Sequence, residues 1–259
     1  MVKGLYTAYT GMLNEQNRMD VLTNNLANAD TIGFKKEGAT SQSFDSMLVD
    51  KIKDDSIPAN FAQRIGRANP GVKIGEGYTD YSQGSFQITD NTYDFALGGK
   101  GFFAIEYTNK SGETSTLYTR DGNFSVNTDG FLVTQDGDYV LGTNGGYIKL
   151  DPNAEVVVDK DGSITQNGTK VATIRITDFE DYNYLEHFGE NYYVPVDGAT
   201  AFDARDCQVF QGYLETSNVS IVSEMVEMIS VSRQYESNQK VIQTIDSSLD
   251  IAANQLGKV

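Results

Sequence analysis

Three stretches of the sequence hold residue types that can do chemistry, and each falls short of a site. Gly98-Gly99-Lys100-Gly101 has the glycine density of a phosphate-cradling loop. Such a loop needs Lys followed by Ser or Thr at a helix start, whereas Phe102-Phe103 follow here in strand context, so a tight turn is expected. Asp159-Lys160-Asp161-Gly162 starts like a calcium loop, but its glycine comes two positions early and the closing acid is missing. A hairpin turn is expected there. His187 is the only histidine and Cys207 the only cysteine. A His-rich zinc site and an internal disulfide framework are therefore excluded, and a Ser-His-Asp hydrolase lacks its G-x-S-x-G turn. A Cys207–His187 dyad is the one nucleophilic pair the composition permits, yet Ala204-Arg205-Asp206-Cys207-Gln208 has no nucleophile-turn pattern. The expectation is no catalytic residue, no cofactor and no metal.

The elements around these stretches carry more information. Counting by sevens from Ile221 gives Met228, Tyr235, Ile242, Leu249 and Leu256. Val231, Ile245 and Ala252 fill a second column, which Glu224 and Asn238 interrupt. A repeat of about 3.5 residues predicts a helix with a coiled-coil seam over 211–259, roughly 60 Å for some forty helical residues. The N-terminus repeats the pattern with Leu5, Met12, Met19 and Leu26, flanked by Tyr9 and Leu22 and interrupted by Glu15 and Gln16. This helix is expected to end near Gly33. Each seam is the natural first partner of the other.

Residues 37–76 are rich in Ser, Gln, Asp, Gly and Lys and include Pro58 and Pro70. Phe44, Met47, Leu48 and Ile52 have the spacing of two or three helical turns; the rest reads as extended. From 77 onward the pattern changes to β-rich runs separated by Asp-Gly or Asn-Gly at 121–122, 129–130, 136–137, 144–145, 161–162 and 167–168. Such pairs favour hairpin turns and leave no room for helical crossovers, so an antiparallel meander or small barrel is expected. The predicted class is α+β, with long N- and C-terminal helices forming a coiled-coil-like assembly domain and a central all-β, hairpin-rich domain. The expected boundaries are 1–36, 37–76, 77–210 and 211–259, and residues 77–213 are expected to fold alone.

Of 259 residues, 39% are hydrophobic and 22% charged, and the net charge is -16. That charge argues against nucleic acid as a partner. Residues 1–36 and 215–259 together carry only -2, leaving -14 for the middle of the chain. Near-neutral ends suit packing against copies, and an acidic middle suits a solvated surface. No apolar run has the length of a membrane span or a secretory signal core, so no membrane insertion is expected. One isolated pair of helices buries too few apolar side chains to offset the conformational entropy of ordering them. The terminal helices are therefore expected to depend mostly on contacts with other molecules.

Three stretches resemble the flagellar rod and hook protein family. The first is Gly11-Met12-Leu13, Arg18-Met19-Asp20-Val21 and Asn24-Asn25-Leu26-Ala27-Asn28-Ala29-Asp30-Thr31-Ile32-Gly33-Phe34-Lys35. The second is Gln83-Gly84-Ser85-Phe86, Asp94 to Phe103, and Tyr118-Thr119-Arg120-Asp121-Gly122-Asn123-Phe124. The third is Gln211 to Val219, Glu224 to Ile229, Arg233, Tyr235-Glu236 and Asn238. They occur in the family's order and span most of the chain. One departure is Asp90-Asn91-Thr92-Tyr93-Asp94, where the family commonly has Gly-Asn-Pro-Leu-Asp.

The resemblance implies a structural, non-enzymatic rod subunit, most like the family's distal rod members in length. A rod paralogue nearer the proximal end or a hook protein is the alternative, and a stand-alone β-domain adhesin is a remoter one. It further implies self-polymerisation into a rigid torque-transmitting tube, other rod and hook proteins as partners, and uncleaved passage through the flagellar export apparatus to an extracytoplasmic place. The residues expected at subunit interfaces are Leu5, Tyr9, Met12, Met19, Leu22, Leu26, Ile221, Met228, Val231, Tyr235, Ile242, Ile245, Leu249 and Leu256. Asn24, Asn25 and Asn28 are expected to fix register by hydrogen bonds across subunits.

Overall fold

A computed structural model describes residues 2–51, 63–110, 112–189, 191–204 and 206–254. The chain forms two compact units. A helical unit takes residues 1–26, 37–79 and 220–259, and a β unit takes 27–36 and 80–219.

In the helical unit, α1 spans Val2–Ala27 and α2 spans Ile221–Asn254, about 39 and 51 Å at about 1.5 Å per residue. The second helix begins where its heptad column begins. The residues before it, expected to be helical, instead form strands at Gln208–Gln211 and Tyr213–Glu215. They lack the apolar repeat, and Leu214 and Glu215 are buried in the β unit. Leu256 lies outside the described residues.

The two helices run antiparallel in a single register. Gly4 lies against Ile245 and Gly11 against Asn238, while Asn25 bonds Glu224. Each step forward along α1 is matched by an equal step back along α2. A side chain at Gly11 would approach the Asn238 amide to 2.9 Å. A helix-interior glycine, ordinarily a cost of about 1 kcal/mol, is what admits that amide.

Residues 37–51 and 63–79 form the paired sides of a nested hairpin. β1 (Glu37–Ser43) pairs with β4 (Val72–Thr79), and β2 (Met47–Lys51) pairs with β3 (Gln63–Ala68), all antiparallel. The helix expected around Phe44, Met47 and Leu48 is thus corrected to strand; Ile52 lies outside the described residues. The apolar spacing there imitates a helix, but its partner is Gln63–Ala68, a pairing that local periodicity cannot reveal. Asn14 donates to Ser41 at 2.9 Å and Thr7 to the Pro70 carbonyl at 3.4 Å, holding this arm along α1.

The β unit is antiparallel throughout its described ladders, as the turn pairs predicted. Its largest sheet has nine strands, with Phe102–Thr108 central between Thr114–Thr119 and the strands Tyr139–Val140 and Ile176–Phe179. Val156–Val158, Ser163–Gln166 and Thr169–Thr173 form a separate meander. Asn167 and Gly168 both have positive φ, the geometry of a two-residue hairpin turn. The Asp159–Gly162 stretch is likewise a hairpin turn, with the Gly162 N–H donating to the Asp159 carbonyl at 2.9 Å. Asp121-Gly122 is the exception among the six pairs. Gly122 is not at positive φ, and a side chain there would strike the Phe95 carbonyl. Fifteen buried residues, Phe95, Phe103, Ile105 and Leu132 among them, make the larger of two cores.

Candidate assembly surfaces

The seam residues fall into three groups. Leu22 and Val231 are buried; Leu5, Met12, Met19, Leu26, Met228, Tyr235, Ile242 and Ile245 are half-buried; Tyr9, Ile221 and Leu249 are exposed. Of the half-buried set on α2, Ile245 lies against Gly4 of α1 in the same chain.

The polar residues that interrupt the seams prove to be the register of this pair. Arg18 bridges Glu15 and Glu227, each at 3.1 Å. With its amide turned to face the carboxylate, Gln234 donates to both Glu15 oxygens at 3.2 Å. Asn25 is fully buried. Its amide donates to the Glu37 carbonyl at 2.7 Å and to Glu224 at 3.3 Å, and its oxygen accepts from the Glu37 N–H at 2.9 Å. Both amide hydrogens of Asn25 are thereby engaged inside its own chain, not across to another. Asn24 reaches Glu37 at 3.4 Å, and the Asn28 side chain accepts from Thr31 at 3.2 Å.

With the seam used internally, a different face of α2 is left bare. Val222, Met225, Val226 and Ile229 are 73%, 51%, 63% and 53% exposed. Their spacing places them on one side of the helix, with Ile221 beside them. A second apolar surface of the same unit is a groove of about 330 Å³ between the first turns of α1 and the hairpin arm, lined by Lys3, Tyr6, Thr7, Met47, Leu48, Ala68, Asn69 and Pro70. Tyr6, Met47 and Leu48 are all more than half exposed.

The β unit holds a buried ionic knot. Glu215 accepts from Lys35 Nζ at 2.5 Å, from the Gly84 N–H at 2.9 Å and from Arg120 at 3.2 Å. Lys35 is 1% and Glu215 0% exposed. Burial lowers the Lys35 ammonium from its usual range, and Glu215 opposes that shift. Lys35 also donates to the Ser82 carbonyl at 2.9 Å, and Arg120 to the Gly99 carbonyl at 2.7 Å with its guanidinium over the Phe102 ring. A side chain at Gly84 would collide with the Thr216 carbonyl. Asn218 closes the same region, accepting from the Lys36 N–H at 2.7 Å and donating to the Asp80 carbonyl at 2.8 Å. The three stretches that carry the family resemblance meet here, through Lys35, through Gly84 and Arg120, and through Glu215. Nothing local in the sequence links Lys35, Arg120 and Glu215, so their ionic role emerges only in the fold.

The stretches examined for catalysis are turn and core. Gly98-Gly99-Lys100-Gly101 links two strands, with Gly99 and Gly101 at positive φ. The Cys207 thiol is pushed by burial to about 11, so it is not a thiolate at neutral pH. No cluster of metal-ligating side chains occurs among the described residues.

Comparison with known proteins bears on the same segments. Residues 5–35 match the family described as flagella basal body rod protein. Residues 96–166 match the flagellar hook protein FlgE/F/G D1 domain, and 211–256 the C-terminal region of flagellar basal body rod FlgEFG proteins. Flagellar basal-body rod protein FlgF of Caulobacter vibrioides is 33% identical over 260 residues, covering 100% of both chains. The chain belongs to the flagellar basal-body rod protein family. FlgG of Bacillus subtilis is 33% identical over 279 residues, covering 98% of this chain and 99% of its own. FlhO of the same organism, a flagellar hook-basal body complex protein, is 34% identical over 277 residues, covering 100% of both. This rod protein is a structural component of the basal body and not an enzyme. Its departure from the family pattern at Asp90 is conformational. Asp90 has φ 54, a left-handed backbone that glycine adopts freely and Asp tolerates better than most residues. No described helix is long and apolar enough to cross a membrane.

Proposed function

We propose that this rod protein polymerises through its helical unit into a rigid helical tube that carries torque from motor to hook. It does so together with other rod and hook proteins, after uncleaved passage through the flagellar export apparatus to its extracytoplasmic place. The observation that carries this reading is the bare face of α2. Five apolar side chains, Ile221 to Ile229, stay in water after the helix pair has used its seam, and exposed apolar patches of this kind mark interaction sites. The interface is then the outer faces of the helices, with Tyr9, Ile221 and Leu249 from the original seam set. Met228, Val231, Tyr235, Ile242 and Ile245 hold the unit in the shape that presents them.

A strain whose only copy carries Val226→Asp with Ile229→Asp is expected to be non-motile and to lack assembled rods beyond this subunit. Preserved swimming would reject the reading. Met228→Asp or Ile242→Asp should give the same phenotype by breaking the helix pair itself.

Length suits a distal rod member or its close rod paralogue, and the distal position is the first reading. A second reading, the rod paralogue's position, is favoured by the alignments. FlgF relatives align over 260 and 259 residues at 99–100% coverage, almost without gaps, whereas the FlgG relatives need 273–280. Rescue of a strain lacking FlgF, but not of one lacking FlgG, would decide for the second.

A further inference from the structure

We infer that residues 208–218 are a closing clasp, and that the β unit folds only once this late segment has docked. The run is short, yet it fastens most of the unit. Among the described residues, Gln208–Gln211 is the only strand paired with Phe95–Gly98, and Tyr213–Glu215 the only one paired with Phe86–Ile88. The Val209 N–H donates to the Lys160 carbonyl at 2.9 Å, and the Gly212 N–H to the Asp94 carbonyl at 2.8 Å. The Gln211 side chain accepts from the Val158 N–H at 3.0 Å and donates to the Thr92 and Val156 carbonyls at 2.9 and 3.0 Å. The Thr216 N–H donates to the Ser85 carbonyl at 2.9 Å, and the Glu215 carbonyl accepts from the Gly33 N–H at 2.8 Å.

The residues under the clasp are not stable without it. Phe95, Ala96 and Leu97 are fully buried. Taking away 208–211 strips their strand of its ladder and removes Val209 from the larger core. Lys35 and Arg120 are buried cations that share the Glu215 carboxylate, and a buried charge left unpaired is strongly destabilising. Glu215 lies 180, 131 and 95 residues beyond Lys35, Gly84 and Arg120. Closing loops of that length costs entropy before any contact is gained, so the early strands wait for the late ones. Translation delivers the chain from its N-terminus, and the clasp arrives after every segment it fastens. That an open chain also suits export rests on the export reading; the order of folding does not.

The test is pulsed hydrogen exchange during refolding of the dilute full chain from urea, read amide by amide. The N–H groups of Ala104 and Leu132 are hydrogen-bonded outside the clasp, to Arg175 and Ile148. They are expected to gain protection in the same kinetic phase as those of Val209, Gly212 and Thr216, as members of one cooperative unit. Protection of Ala104 and Leu132 in a separate, earlier phase overturns the inference. Glu215→Gln should slow the shared phase at least tenfold. An unchanged refolding rate in that variant, with only unfolding accelerated, would place clasp docking after the barrier and also overturns it. If Glu215→Gln does not fold, the phases of the parent chain decide alone. These phases are read in solution, so failure of the export reading would leave them unchanged.

Discussion

In the β unit, Phe95, Phe103, Ile105 and Leu132 are completely buried. In the helical unit only Ala8, Leu22 and Val231 are buried hydrophobics among the described residues, while Tyr6, Met47, Leu48, Val222 and Val226 are all more than half exposed. One unit closes its core within a single chain. The other has the length and patterning of a core element but only one of its faces covered. Burial of apolar area is the dominant favourable contribution to folding, so the two units are expected to differ in what stabilises them. The β unit should depend on its own packing and its ionic knot, and the helical unit on its neighbours.

The largest effect on this contrast is expected from Glu215→Ala. It leaves Lys35 and Arg120 buried without their anion, and breaking a buried pair in this way costs about 3–5 kcal/mol. Urea unfolding of the full chain should show the β transition shifted by that amount, and a shift under 1 kcal/mol would mean the knot is not structural. The fragment 77–213 lacks both Lys35 and Glu215. The β unit as observed needs 214–219 to pair Arg120 and 27–36 to supply Lys35, so this fragment is expected to be less stable than one carrying all three segments.

Asp121 comes next. Burial holds its carboxyl at about 6, against an ordinary 3.8. The folded chain therefore binds that proton more tightly than the unfolded chain does. The resulting stability is fully present below about pH 4 and is lost as pH rises through 6, on the order of 3 kcal/mol. Asp121→Asn should flatten stability between those limits and raise it at pH 7. Asn191 now donates to Asp121 at 3.3 Å, and its own buried carbonyl oxygen has no partner; a flip of that amide would receive the new one. A denaturation midpoint that still falls between pH 4 and 6 in the variant would assign the slope to another group.

Asn25→Ala removes three hydrogen bonds at the foot of the helix pair and should cost about 1–2 kcal/mol, read as lost helix signal with the β transition unchanged. The smallest effect on stability is expected from Val226→Asp, within about 0.5 kcal/mol because the site is exposed, although assembly is abolished. A variant that unfolds the chain and leaves assembly intact would invert the contrast between the units.

Much of this was legible in the sequence. The heptad columns located both helices, and Asn-Gly or Asp-Gly pairs located the hairpin turns, because helix and turn patterns are local. The nested hairpin arm was not legible, since Met47 and Leu48 have helical spacing and their partner strand lies beyond residues 52–62. The ionic knot was hidden for the same reason: Lys35, Arg120 and Glu215 are far apart in the chain, and no periodicity links them. Glu15, Glu224 and Asn238 looked like flaws in a seam. They are its register, a role visible only when the opposing helix is in place. Met225 was passed over because it lies off the heptad column, on the face that the pair leaves open.

The most direct test of the helical unit's dependence on neighbours is far-ultraviolet circular dichroism of the full chain across a dilution series. If copies complete this unit, helix signal should rise steeply as polymer forms and fall on dilution to monomer, while the β transition stays at one temperature. A dilute monomer with full helix content that melts cooperatively would contradict it.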